Sequence, residues 1–387
     1  MLFNRPIEPS MSILEDLLTK DPSFQLNSQY KNISKLTNGS FSDIFTAETI
    51  GKQTAVIIKA PHKTPNSYAE ISKEAIILLK LKELKTVPRV LYLQADSNCE
   101  VLVLEKLGVS LETMKQEHNN FSLKTTILLG CQLLTIIEDI HNNGILHRDV
   151  KPSNILIGEG LNKNQIYLID FDIATTFSSN GQKVPETANE FVGTKAFASR
   201  NAHKCGQFSR KDDLESLGFT LIYLYQGKLP WTSMKCDLLA MGNVKDQFMK
   251  GSFLAEFPKE FQLFFDYLDK MKLDDIPDYQ YLRNLFNSMA DRFGFNLENW
   301  QFEWMEEETG NNLTWIENPE EKKEELDRED EIGSDDSTTE NSVQNKVFCL
   351  NKTFNQKFFG EIKMKRSFGF MQGFKEAFMK GQAQSQQ

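Results

Sequence analysis

The balance of apolar spacing shifts along this chain. Up to about residue 105 it follows mostly a strand-like period of two; beyond that, helical spacing dominates. Residues 31–60 alternate, with turn residues at Asn38-Gly39 and a β-branched run at Ala55-Val56-Ile57-Ile58, which predicts a hairpin and a third strand. Over 68–84, Ile71, Ala75, Leu78 and Leu79 form one stripe and predict a helix. Val101-Leu102-Val103-Leu104 reads as a short buried strand running into a linker at Glu105–Gly108. From Ser122 to Asn143 a longer helix is signalled by Leu123, Ile127, Cys131, Leu134 and Ile137, with a stop at Gly144. Two short strands follow, around Ile155-Leu156-Ile157 and Tyr167-Leu168-Ile169. Asp213 to Gln226 is apolar on nearly all sides, the mark of a buried helix, and the segments up to Trp304 read as helical. The expected architecture is α+β, with a small β-rich lobe, a linker and a larger helical lobe. Residues 1–29 are polar, with Pro6, Pro9 and Pro22, and read as an extension carrying one helical piece at Ile13–Leu18.

Composition narrows the class. At 387 residues, one large or two modest domains are expected. The five cysteines (Cys99, Cys131, Cys205, Cys236, Cys349) have no paired spacing, which argues against a disulfide framework and against a zinc site. The N-terminus lacks the apolar core of a signal peptide, and no stretch is long and apolar enough to span a bilayer. An intracellular protein, cytoplasmic or nuclear and not secreted, is expected. The net charge of −10 is unevenly spread: 306–340 carries −12, 341–387 carries +6 and 1–305 only −4. A nearly neutral body argues against nucleic acid as the main substrate. The acidic 306–340 stretch is expected to be disordered. The basic segment beyond it carries Phe354, Phe358, Phe359, Phe368, Phe370, Phe374 and Phe378. That tail could bind an acidic partner, a membrane surface or the chain's own acidic stretch.

Candidate chemistry centres on His147-Arg148-Asp149-Val150-Lys151-Pro152-Ser153-Asn154. Asp149 can accept the proton of an attacking hydroxyl, Lys151 can offset charge on a transferring phosphoryl group, and Asn154 can hold a metal ion from the other side. Residue types in this order resemble the catalytic loop of protein kinases. Lys59 ends the strand Val56-Ile57-Ile58-Lys59, where an ammonium can grip phosphates if an anion fixes its flexible stem. Glu74 is the candidate anion and Glu70 the runner-up. Asp170 ends the apolar strand Leu168-Ile169, a placement that suits a magnesium ligand. The phosphate-covering loop is weak: Thr37-Asn38-Gly39-Ser40-Phe41-Ser42 keeps one glycine, Gly39, of the three in G-x-G-x-x-G. Asp213, at the start of the buried helix, needs donors, and the catalytic-loop backbone would supply them.

Over residues 30–304 the chain resembles the casein kinase I family. The resemblance rests on Val103-Leu104-Glu105-Lys106-Leu107-Gly108-Val109-Ser110-Leu111-Glu112, and on Gly193-Thr194-Lys195-Ala196-Phe197-Ala198-Ser199-Arg200-Asn201-Ala202-His203, where most kinases carry A-P-E. Ser209-Arg210-Lys211-Asp212-Asp213-Leu214-Glu215-Ser216-Leu217-Gly218, Leu229-Pro230-Trp231 and Pro277-Asp278-Tyr279-Gln280-Tyr281-Leu282-Arg283-Asn284-Leu285-Phe286 also match. The resemblance implies a bilobal protein kinase with an N-lobe at 30–104, a hinge at 105–108 and a C-lobe at 109–304, followed by an acidic linker at 305–345 and a basic tail at 346–387. It implies ATP between the lobes, with adenine on the backbone of Glu105–Leu107 and Leu104 as gatekeeper. Lys59, paired with Glu74, would hold phosphates beneath the loop containing Gly39. Asp149 would be the base, Lys151 a phosphoryl contact, and Asn154 and Asp170 the ligands of Mg²⁺, with Mn²⁺ as an alternative. Thr194 would hydrogen-bond the catalytic loop. Substrates would be protein serine and threonine hydroxyls, and a monomer is expected.

Several positions depart from the family pattern. Asp172 replaces the glycine of D-F-G, where φ > 0 is expected. The basic substrate pocket is depleted. Its arginine position is Ala196 with Lys195 one residue away, the lysine expected beyond Leu229-Pro230-Trp231 falls near Gly242, and its activation-segment lysine falls near Asn189. The lost loop glycines and Asp172 motivate a pseudokinase scaffold as an alternative. A small-molecule kinase of related fold ranks lower, because that class lacks the Gly193–His203 segment.

Overall fold

The computed structural model describes residues 12–21, 24–39, 42–62, 67–95, 100–118, 120–177, 191–234 and 236–306. The acidic linker beyond Glu306, the Phe-rich tail and Asn189 lie outside this set. The first lobe contains α1 (Ile13–Lys20), β1 (Tyr30–Asn38), β2 (Ser42–Thr49), β3 (Ala55–Pro61), α2 (Ser67–Lys80), β4 (Val90–Ala95) and β5 (Glu100–Glu105). The second contains α3 (Leu111–His118), α4 (Leu123–Asn142), β6 (Ile145–Leu146), β7 (Ile155–Ile157), β8 (Ile166–Leu168), β9 (Thr175–Thr176), α5 (Arg200–His203), α6 (Arg210–Gln226), α7 (Leu238–Lys250), α8 (Lys259–Lys270), α9 (Tyr279–Phe293) and α10 (Glu303–Glu306). The first five strands form one antiparallel sheet in the order β1-β2-β3-β5-β4.

Strand alternation splits the sheet's side chains between two cores. Leu102 and Leu104 point to the side of α2 and pack with Ile71, Ala75 and Leu78 in the large core that continues into the helical lobe. Phe45, Val56, Ile58, Ala60, Val101 and Val103 point the other way. That outer face is closed by Leu14 and Leu26 from the segment preceding β1, both almost fully buried, with Leu18 and Phe24 against them. Each such leucine stabilises the lobe by roughly 2 kcal/mol. Of the segment read as a polar extension, residues 12–21 and 24–29 therefore form a packed layer of the first lobe. The helical piece expected at Ile13–Leu18 is α1, Ile13–Lys20, and its apolar edge packs on the sheet.

In the second lobe α4 runs from its N-cap Ser122 to Asn142 and ends where Gly144 takes φ 67°. At Gly130 a side chain would meet the Phe286 ring at 2.9 Å, so the missing Cβ lets α9 approach α4. Helix α6 is buried on nearly every side over Asp212–Ile222, as its apolar pattern predicts, but begins at Arg210, three residues earlier than the hydrophobic run. The core extends to Phe302 and Trp304, stacked at 4.2 Å between ring centroids. Trp304 also donates from Nε1 to Lys163 O at 3.0 Å. Among the described residues no helix is long and apolar enough to cross a membrane.

Candidate active site

Lys59 leaves β3 in a pair of ladders, opposite Ile44 of β2 and Leu102 of β5. Its ammonium meets both oxygens of Glu74 at 2.8 and 2.9 Å, Asp170 Oδ1 at 2.8 Å and Asp172 Oδ1 at 3.2 Å. Burial alone would lower the lysine's pKa. Asp170, Glu74 and Asp172 outweigh it and hold the pKa well above the usual value. Burial also acts against ionised Asp170, yet Lys59, His147 and Lys151 bring it down to about 2. Asp172 goes the other way. Burial and the neighbouring charges of Glu74 and Asp170 overcome Lys59 and push it up to about 9. Asp170 is thus the carboxylate that ionises readily beside the ammonium, while burial and like charge make Asp172 resist ionisation. Oxygens of Glu74, Asp170 and Asp172 lie within 4.8 Å of one another, a grouping able to surround a cation. Here that cation is the ammonium of Lys59.

The catalytic-loop residues come together across the cleft. Asp213, in the first turn of α6, accepts from the amides of His147 at 2.8 Å and Arg148 at 2.7 Å, and pairs with His141 Nε2 at 2.8 Å. These are the backbone donors expected for it. They hold Arg148 at φ 68°, a left-handed conformation that a side chain disfavours. Asp149 Oδ1 accepts from the Thr194 hydroxyl at 2.7 Å, and its Oδ2 lies 2.7 Å from Lys151 Nζ. Lys151 also donates to Thr194 Oγ1 at 2.8 Å. Asn154 turns its amide nitrogen to Asp149 O and Oδ2 at 3.0 and 3.1 Å, which leaves its Oδ1 for a cation. Its carbonyl accepts from the Ile169 amide at 2.9 Å and so ties the loop to the residue before Asp170. One amide oxygen and one carboxylate are hard donors that suit Mg²⁺ or Mn²⁺.

The backbone around Asp170 corrects one expectation. The positive φ of 68° falls on Asp170, and Asp172 is not among the residues with φ > 0. A glycine is therefore not required at 172, and its side chain is free to turn toward Lys59. Phe171 is fully buried, edge-on to His147 at 4.8 Å, and its amide donates to Glu74 Oε1 at 3.2 Å. Glu74 is thus the anion that meets Lys59; the side chain of Glu70 lies outside the described set.

At the linker, Leu104 is buried, and the Glu105 carboxylate turns to Arg89, accepting from its amide at 2.9 Å and its Nε at 2.7 Å. Leu107 is nearly buried, and the Gly108 amide donates to Ile157 O at 2.9 Å, joining linker to second lobe. Gly39 spends its own amide on Ser42 O at 2.8 Å, closing the β1–β2 turn, and a Cβ there would meet that oxygen at 2.7 Å.

Of the positions expected to form a basic pocket, Lys195, Ala196 and Gly242 are among the described residues. Lys195 Nζ donates to Cys236 O at 2.6 Å, and Gly242 packs where a Cβ would meet His203 at 2.8 Å. Sequence reasoning missed Lys245, which is fully buried and donates to Lys195 O at 3.0 Å and Ala198 O at 2.6 Å. Trp231 Nε1 donates to Ala196 O at 2.8 Å. The Gly193–Ser199 segment is therefore held from behind by two side chains. In front of it a cavity of about 380 Å³ is lined by Lys151, Ser153, Thr194, Phe197, Tyr223 and Lys228 among others.

A family model, the protein kinase domain, matches residues 30–278, well over half of the chain. The chain belongs to the protein kinase family. Membership agrees with the two-lobed α+β fold. It implies phosphoryl transfer from ATP with a divalent metal, and protein substrates. The matched span holds every group at this kinase's site, from Gly39 and Lys59 to Thr194. It begins after α1 and ends just before α9, although both pack into the kinase's cores.

Proposed function

We propose that this protein kinase is catalytically active, transfers the γ-phosphate of ATP to serine and threonine hydroxyls, and is of casein kinase I type. One observation carries the reading. Asp149 is held through both oxygens by Thr194, Lys151 and Asn154 while the Lys59–Glu74 pair is made. Both halves of the machinery are assembled at once. The subfamily assignment draws support from the hinge run Leu104–Glu112 and from Ser199-Arg200-Asn201 in place of A-P-E.

In this mechanism the substrate hydroxyl approaches from the Thr194 side and gives its proton to Asp149 as its oxygen bonds to the γ-phosphorus. The bond from that phosphorus to the β–γ bridging oxygen breaks, and ADP leaves. Lys59, steadied by Glu74, holds the nucleotide's phosphates. Lys151 meets negative charge building on the phosphoryl oxygens. Asn154 and Asp170 would hold a divalent cation, which supplies charge neutralisation on the phosphates. Catalysis is positioning plus electrostatic stabilisation by groups already in place. Adenine lies against the Glu105–Leu107 backbone beside Leu104.

A pseudokinase scaffold is the second reading. Two observations favour it: Asp172 adds a third carboxylate at Lys59, and the Gly39 amide is turned into its own turn. A peptide array with Mg-ATP and with Mn-ATP, run on the parent and on Asp149→Asn, separates the two. Activity on Ser/Thr peptides that falls about a thousandfold in Asp149→Asn supports the kinase. Nucleotide binding without transfer in either metal supports the scaffold.

A further inference from the structure

The phosphate-covering hairpin is poorly fixed by its own sequence. Two of the three glycines are gone, and the β1–β2 ladder shifts register twice, between Lys31 and Ser34 and between Lys35 and Thr37. β1 is exposed on both faces over Ser34–Asn38, and a strand without a buried face specifies its register weakly. Yet the last pair before the turn, Asn38 with Asp43, is anchored from outside the hairpin. Asp43 lies on the outer face of the sheet with Phe45 and Ala47, and its side chain is 3% exposed. Its oxygens meet the Ser12 amide at 3.1 Å, Lys35 Nζ at 3.1 Å and His62 Nε2 at 3.2 Å. Ser12 is fully buried, forms a β-bridge with His62 and caps α1 by accepting from the Glu15 amide. Glu15 then reaches back to Lys35 at 2.7 Å.

We propose that residues 12–21 are a clasp on the phosphate-covering hairpin, with Asp43 as its anchor, and that this clasp sets nucleotide affinity. It rests on reading the cleft as a nucleotide site. The ring of contacts ties α1 to β1 through Glu15–Lys35, to β2 through Ser12–Asp43 and to the end of β3 through Ser12–His62. Leu14, wholly buried on the outer face, fixes α1 to the sheet. Asp43 is also one residue from Ile44, the ladder partner of Lys59. A shift of the clasped end along the strand therefore reaches the lysine's strand within one residue. A buried carboxylate that loses a donor is costly to leave in place, so a hairpin without its clasp opens toward water.

Ser12 permits a narrow test. Its φ of −68° is one that proline adopts, so Ser12→Pro keeps the backbone and deletes both the amide and the hydroxyl that serve Asp43. Ser12→Ala keeps that amide and removes only the hydroxyl. Hydrogen exchange and steady-state kinetics are measured on the full chain, both variants and a chain lacking residues 2–21. Exchange in the Tyr30–Thr49 hairpin should quicken at least tenfold in Ser12→Pro and in the truncation, with β4 and β5 unaffected. KM for ATP should rise about tenfold in Ser12→Pro and KM for peptide less than twofold, with Ser12→Ala, which loses the α1 cap and the hydroxyl's bond to Asp43 but keeps the amide, between the parent and Ser12→Pro. Hairpin exchange like the parent's in Ser12→Pro overturns the clasp even if Tm falls. Faster exchange with unchanged KM for ATP overturns its role in nucleotide affinity. A parent chain that transfers no phosphate would remove the kinase reading, while exchange would still decide whether α1 holds the hairpin.

Discussion

Asp172 Oδ1 stands 3.2 Å from Lys59 Nζ, although the two residues are 113 positions apart. The contact exists because the left-handed turn falls on Asp170, which leaves residue 172 in a conformation open to any side chain. On the proposed function, Asp172 competes with the nucleotide's phosphates for one ammonium. Asp172→Asn keeps an oxygen acceptor at that place and should leave KM for ATP within about twofold. Asp172→Gly removes the competitor and should lower it about threefold, close to 0.7 kcal/mol. Titration of the two variants against Mg-ATP checks this; indistinguishable curves would mean the contact has no weight.

Lys245 predicts a pH dependence of stability. Burial lowers its pKa from 10.5 to about 7, against the attraction of Glu215 and with the repulsion of Arg200. Below pH 7 the lysine is protonated whether the chain is folded or not. Between about 7 and 10.5 only the unfolded chain keeps the extra proton. Stability from this group therefore rises with pH across that window, at up to about 1.4 kcal/mol per pH unit. Lys245→Met has no such contribution. Urea unfolding at pH 7 and pH 9 should show the parent gaining more than about 1 kcal/mol relative to the variant. Parallel changes in both proteins would place the lysine's proton elsewhere.

Much of the site could be read in the sequence because its chemistry is contiguous or carried by one strand. His147–Asn154 is a single loop, and Lys59 and Asp170 each end an apolar run. The helices α4 and α6 declare themselves by spacing. What could not be read depends on placement. Strand β4 is the edge of the sheet, and its Leu91 is partly exposed, so its pattern is mixed. Lys245 on α7 has the sequence character of a surface lysine; only the fold puts it behind the Gly193–Ser199 segment. The same holds for Ser12 and Asp43, ordinary polar residues until α1 closes over the sheet.

Gly218 lies where α6 meets α8. An added Cβ would sit 2.5 Å from Phe265 Cζ and 3.1 Å from the Phe264 ring. Both rings are fully buried, so neither can swing to solvent. Gly218→Ala should destabilise the chain by roughly 1–3 kcal/mol through overpacking, despite alanine's better helix propensity. Equilibrium unfolding measures the sum. A stabilised variant would show that the rings shift aside without cost.

Asp213 offers the sharpest separation of chemistry from nucleotide binding. Its two oxygens hold the amides of His147 and Arg148 and so fix the loop two residues before Asp149. In Asp213→Asn one oxygen becomes an NH₂ that faces a backbone N–H, and no rotation of the amide relieves both contacts. Arg148, at φ 68°, then loses the bond that offsets its strain. The loop should relax, carrying Asp149 away from Thr194. Chain stability should fall by about 3 kcal/mol and kcat by about a hundredfold, because small displacements of a base are costly. KM for ATP should stay within about threefold, since the Lys59–Glu74 pair belongs to the other lobe. Kinetics at a temperature where both proteins are folded makes the comparison. A KM for ATP that rises as steeply as kcat falls would instead couple Asp213 to the whole cleft.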